Sequence, residues 1–256
     1  MLLHYFMDAG SLVFLILVGI FAGFIDSAVG GGGLIRLPAM LGVGMSPHIA
    51  IGTNKFASTA AAAVASREYL RSDIVPRKAA LVGWIMMLIF SIFGAIIVLS
   101  ISSEIVLVIA IAFLSILFIY VMINPRFGAK EEIREERVMP VTIGMGAGLG
   151  FYEGFLGPGT GSMLLAGYVK GAGFGMDRAA ATGRILNFGG NVGSFAIFAL
   201  AASVDYEVAL PFAIANMIGG YLAPRYVLKY GYTMLRPMFL IVSAVLIITQ
   251  IISFIY

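Results

Sequence analysis

Apolar runs of about 20 residues recur along the whole of this chain, each long enough for a helix that crosses a bilayer. The segments read as Gly10–Val29, Leu34–Val43, Ile49–Ser66, Ala79–Ile101, Ile105–Ile123, Val138–Leu156, Ser162–Val169, Ala179–Ala202, Val208–Ala223 and Met234–Tyr256. Two of them, Leu34–Val43 and Ser162–Val169, are too short to cross ~30 Å of hydrocarbon as continuous helices. Both follow directly on a glycine cluster. They are expected to be half-helices or re-entrant pieces, which a membrane tolerates only where protein or a cavity surrounds them. The expected fold is all-α and polytopic.

The first cluster, "GFIDSAVGGGGLIRLP", puts a carboxylate and then four glycines into an apolar helix. Glycine loses the most conformational entropy on folding, so four together break a helix. A carboxylate deep in hydrocarbon costs roughly 2.5–3.5 kcal/mol on insertion scales. Two costly features side by side suggest a site.

Composition strengthens the membrane reading: 61% of the 256 residues are hydrophobic and 11% charged, against roughly 25% charged in soluble domains. The first run has neither a basic leader nor an A-x-A cleavage pattern and is expected to be a retained span. Without cysteine there is no disulfide, thiolate metal site or cysteine nucleophile. The imidazoles are His4 and His48 alone, with no paired-His metal motif and no Walker motif. We therefore expect no enzyme, no cofactor and no metal site. The net charge of +3 lies in loops and implies no nucleic-acid partner.

Those loop charges set the sidedness. Arg67, Arg71, Arg77 and Lys78 fall in one loop, Arg126, Lys130, Arg134 and Arg137 in the next, and Arg225, Lys229 and Arg236 in a third. The intervening turns, Ser100–Glu104 and Ser203–Glu207, carry acids and no bases. Placing the basic loops in the cytoplasm satisfies every alternation, as expected of a multi-pass protein of the cell membrane. The one sustained polar stretch, "NPRFGAKEEIREERVMP", reads as a cytoplasmic linker over 124–139 between membrane halves 1–123 and 140–256.

The halves resemble each other. Gly19, Gly23, Phe24, Gly30 and Gly32 align with Gly146, Gly150, Phe151, Gly157 and Gly159. Asp26 meets Glu153, Lys55 meets Arg184, Asp73 meets Asp205, and Gly94 meets Gly219 and Gly220. Each unit holds about five apolar segments, an odd number, so Asp73 and Asp205 fall on opposite faces. Two inverted-topology repeats follow, the layout of many secondary transporters, whose sites lie near the midplane where broken helices meet.

Unwound glycine backbone exposes N–H groups, and a following half-helix aims its positive N-terminus at the break. Gly30, Gly31, Gly32 and Gly33 with Gly157, Gly159 and Gly161 therefore make a candidate anion pocket, to which Thr160 and Ser162 could add hydroxyls. Gly19, Gly23, Gly146 and Gly150, at four-residue spacing, read instead as helix packing. Thr53, Asn54 and Lys55 open the third segment, and an ammonium there wants a carboxylate or a bound anion. Arg184 can grip an oxyanion with two parallel N–H bonds, and Arg36 could do either job. Asp26 and Glu153 can pair with Lys55 and Arg184, or take up protons and couple transport to a gradient. Asn187 and Asn191 share a helix face with Arg184, where they could line a path or bond between helices.

Together these residues resemble the sulfite exporter TauE/SafE family, also described as the 4-toluene sulfonate uptake permeases. The match rests on "GFIDSAVGGGGLIRLPAMLGVGMSPHIAIGTNKF", on "REYLRSDIV" and on the second copy from Gly146, and covers about Gly19 to Pro224. The second half has "TGRILN" where a strict repeat of "GTNK" would need Asn and Lys. The resemblance implies transport of sulfur oxyanions such as sulfite, thiosulfate or sulfonates. The expectation is a secondary carrier working by alternating access, partnered by its small anion and the bilayer and compatible with a homo-oligomer. The alternative is a proton- or cation-coupled carrier of another small substrate, centred on Asp26 and Glu153.

Overall fold

The computed structural model describes residues 9–100, 131–155 and 157–231, with 233–235, 237, 238 and 241 beyond them. The expected segment Ile105–Ile123 lies outside the described residues, as does most of Met234–Tyr256. All regular structure among the described residues is helical. In chain order it comprises α1 (Ala9–Val29), α2 (Gly33–Gly42), α3 (Pro47–Leu70), α4 (Arg77–Val98), α5 (Glu135–Phe155), α6 (Thr160–Gly167), a π-helical turn (Tyr168–Ala172), α7 (Met176–Leu200) and α8 (Tyr206–Tyr230). The helices other than α2 and α6 have 21–25 residues, or at least ~30 Å of axial length. The 18-residue windows of α1 and α4 reach mean hydropathies of 2.5 and 2.6.

Several ends differ from the apolar segments for local reasons. Helix α5 begins at Glu135, before its apolar run, because Glu135 and Glu136 in its first turn suit the positive helix N-terminus. Helix α8 runs through Pro224 to Tyr230, since neighbouring helices in a membrane bundle compensate the hydrogen bond a proline removes. Its start is capped by Asp205, whose Oδ1 accepts from the backbone N–H groups of Glu207 and Val208.

On α1, α3 and α4 many large apolar side chains face outward and small or polar ones inward. On α1, Val13, Phe14, Leu17 and Phe21 are exposed while Ala22, Ala28 and Asp26 are buried; α4 exposes Leu81, Ile85, Ile89 and Phe93. The inner face of α3 is Ala57, Ala61, Ala62 and Ala65, all fully buried. Exposed greasy faces around a core of small residues are what lipid requires, because association there relies on close packing.

Glycine contacts give the helix directions. Gly19 and Gly23 of α1 face Ala215 and Asn216 of α8, and Gly219 returns the contact against Ile20. Gly150 and Gly154 of α5 face Met87 and Ser91 of α4, and Gly189 and Gly193 of α7 face Trp84 and Leu88 of α4. Gly52 at the start of α3 meets Ser203 just before α8, while Ala61 meets Gly220 further along both. Thus α1, α3 and α8 run one way, and α4 runs parallel to α5 and α7. The two groups are antiparallel: Phe56 of α3 packs on Phe195 of α7, whereas the Ser66 hydroxyl lies 3.5 Å from the Arg184 carbonyl oxygen.

Candidate functional site

The two glycine breaks meet back to back. Gly30, Gly31, Gly157 and Gly159 have φ of +79, +90, +85 and +88°, a region open to glycine and strained for other residues. A Cβ on Gly30 would lie 2.2 Å from the backbone nitrogen of Ser162, and one on Gly161 would lie 2.7 Å from Gly30 Cα. The Ser162 hydroxyl donates to the Val29 carbonyl at 2.8 Å, and that of Thr160 to the Gly157 carbonyl at 2.8 Å. Both hydroxyls therefore fasten the breaks. The Gly32 N–H, at the start of α2, donates to Asp26 Oδ1 at 3.0 Å, which sets the carboxylate against a helix N-terminus.

Around the breaks lie five buried charges. Asp26 Oδ2 accepts from Arg36 Nη2 at 3.0 Å and Arg184 Nη1 at 2.8 Å. Lys55 Nζ meets Glu153 Oε1 at 2.7 Å and also donates to the Glu153 carbonyl. Asn187 joins the two clusters. Its Nδ2 donates to Glu153 Oε2 at 3.0 Å while its Oδ1 accepts from Arg184 Nη1 at 3.2 Å and Asn191 Nδ2 at 3.0 Å. Arg36 is anchored on every nitrogen: Nε to Asn54 Oδ1 at 2.8 Å, Nη1 to Asn216 Oδ1 at 2.8 Å, Nη2 to Ser58 Oγ at 2.7 Å.

Lys55, Arg36 and Arg184 are only 1, 2 and 3% exposed, so none snorkels to an interface. The pairing crosses between the halves: the acid of α1 is held by the Arg of α7, and the acid of α5 by the Lys of α3. Lone ions would be expensive at this depth, and paired, hydrogen-bonded ones persist. Three cations against two carboxylates leave one positive charge. Its free donors are on Arg184, whose Nε and Nη2 are buried without a hydrogen-bond partner.

A cavity of about 20 Å³ remains between the clusters, room for a water-sized group. Of the sequence-predicted residues, Gly33, Asn54, Lys55, Gly157, Gly159 and Gly161 line it together with Asp26 and Glu153. Thr53 lies apart, its hydroxyl accepting from the Asp205 N–H at 3.1 Å. Gly30 and Gly32 serve the breaks. Arg184 does not line the cavity but donates to Asp26 and Asn187, which do. Ser58 escaped the sequence reading, although its position four residues after Asn54 puts it on the same helix face. Among the described residues no group of three or more His, Asp or Glu could hold a metal ion.

The family model described as "Sulfite exporter TauE/SafE" matches residues 15–249. A "Probable membrane transporter protein" of Haemophilus influenzae is 35% identical over 241 residues, covering 93% of this chain and 94% of that one. "Probable membrane transporter protein ORF9" of a Sinorhizobium species is 34% identical over 239 residues, covering 93% and 91%. "Probable membrane transporter protein YfcA" of Escherichia coli is 31% identical over 232 residues, covering 91% and 86%. No solved structure matches. The chain belongs to the sulfite exporter TauE/SafE family, a family of membrane transporters rather than enzymes.

Proposed function

From this membership we infer that the chain is a secondary carrier for small sulfur oxyanions such as sulfite, thiosulfate or sulfonates. One observation carries the reading: a buried centre, built where two broken helices meet, holds one more cation than it has carboxylates, with the free donors on a single guanidinium. Such a centre attracts an anion and gives a planar, two-pronged grip on its oxygens.

The arrangement of the halves supports alternating access. Exchanging α1 with α5, α3 with α7 and α4 with α8 maps the packing of α1 on α8 onto that of α5 on α4. It also reverses every helix direction and turns the Asp26–Arg184 pair into the Glu153–Lys55 pair. This favours two inverted-topology repeats, 1–123 and 140–256, rocking about a fixed centre, with the 124–139 linker on the cytoplasmic side. An inside-negative potential drives anion exit by roughly 2.3 kcal/mol per charge per 100 mV, so export needs no coupling ion.

The test is thermal unfolding of the detergent-purified protein against sulfite, sulfate, thiosulfate, a small sulfonate, phosphate and chloride. A ligand at 100 times its dissociation constant should add ~2.7 kcal/mol, and Lys55→Gln should abolish the effect. Stabilisation by phosphate or chloride as strong as by the sulfur anions removes the substrate assignment. The rival, a proton- or cation-coupled carrier centred on the acids, predicts that Asp26→Asn stops transport; the anion reading predicts retained anion binding in that variant.

A further inference from the structure

Among the described residues five set the charge count of the centre. The expected segments Ile105–Ile123 and Met234–Tyr256 hold one charged residue, Arg236, and no acid. The one other charged group among the described residues that is as deeply buried is Glu68. It sits at the end of α3 and is neutralised there by Arg71 at 2.8 Å and Arg225 at 3.5 Å. Asp26 and Glu153 each contact a cation directly and enter the count as its counter-charges. Two carboxylates and three cations leave the centre at +1.

A charge taken out of water into a closed, low-dielectric site is costly unless it is neutralised. The occluded carrier is therefore cheapest to form when its cargo brings the total to zero. A second, independent observation agrees. Arg36 spends every nitrogen on Asp26, Asn54, Ser58 and Asn216, and Lys55 is held by Glu153. Arg184 alone among the three keeps donor atoms without a partner. One guanidinium edge offers two parallel N–H bonds and one charge.

The geometry points to a singly charged sulfur oxyanion, hydrogensulfite or a monosulfonate, as the species this centre carries, with doubly charged anions disfavoured. This rests on the anion-carrier function proposed above and narrows its substrate class. A dianion would leave the occluded centre at −1, and among the described residues no other cation buried there keeps donor atoms without a partner. Glu153 is then a specificity-determining residue: without its charge the centre stands at +2 and suits a dianion.

Methanesulfonate and sulfate make a clean probe pair, both tetrahedral at sulfur and differing in charge. Calorimetric titration of the purified full-length protein in low-chloride buffer should show methanesulfonate binding at least tenfold more tightly than sulfate. Glu153→Gln should move that ratio tenfold or more towards sulfate. The shift matters because weaker hydration of methanesulfonate alone would favour it at any site, and would not respond to the substitution. Sulfate binding as tightly as methanesulfonate to the unaltered protein overturns the inference while leaving the anion-carrier reading intact. An unchanged ratio in Glu153→Gln also overturns it. If neither probe nor any anion of the earlier panel binds, the carrier reading itself fails. Should Glu153→Gln not purify folded, Asp26→Asn, which also removes one carboxylate from the centre, takes its place, and an unchanged ratio there overturns the inference.

Discussion

At the scale of single residues, guanidinium and ammonium are not interchangeable here. Arg184 holds Asp26 and Asn187 through Nη1 and leaves its other edge free. Lysine at that position keeps the charge and can hold Asp26, yet it has no second edge for a ligand. Arg184→Lys should therefore purify folded and lose about tenfold in anion affinity, measured by the same titration. Equal affinity would move the binding role to Lys55 or Arg36. The presence of Asp26, Glu153, Lys55 and Arg184 was legible in the sequence because every charge inside an apolar run is conspicuous. Their partners were not. Sequence left Arg36 open between a carboxylate and a bound anion, and did not single out Asp26 as its partner. The ring of Asn54, Ser58 and Asn216 around Arg36 comes from two other helices, α3 and α8, and no spacing rule encodes such a meeting.

At the scale of elements, glycine separates into two kinds by what surrounds it. A Cβ on Gly154 would lie 1.9 Å from the Ser91 carbonyl oxygen, and one on Gly148, in the same helix, meets nothing within 4 Å. Gly148→Ala should raise stability by up to ~1 kcal/mol through helix propensity. Gly154→Ala should lower it by about 1–3 kcal/mol through overpacking, and thermal unfolding of the two variants separates the effects. Gly30→Ala should be worse than left-handed strain alone, about 1–2 kcal/mol, because Ser162 blocks the new methyl group. The breaks themselves were readable, since an eight- or ten-residue helix after a glycine run cannot span. The back-to-back docking of the two breaks was not, because it depends on contacts between residues far apart in the chain, such as Ser162 with Val29.

At the scale of the whole molecule, helix direction connects to sidedness. Helix α3 leads into Asp73 and antiparallel α7 into Ala201, so these two exposed positions fall on opposite faces of the bundle. With no cysteine in the chain, Asp73→Cys and Ala201→Cys can be labelled without background. A membrane-impermeant maleimide added to intact cells should reach Ala201→Cys and should reach Asp73→Cys only after permeabilisation. Labelling in the reverse order would turn the protein over in the membrane. Labelling of both from one side would break the antiparallel arrangement of α3 and α7.

The crossed ion pairs also bear on how the chain is made. Glu153 follows Lys55 by 98 residues, so at about 5–20 residues per second the ribosome delivers the ammonium roughly 5–20 s before its carboxylate. Asp26 meets Arg36 early and waits 158 residues for Arg184. The nascent first half must therefore shelter an unneutralised lysine, in the insertion machinery or at the lipid headgroups, until the second half arrives to claim it.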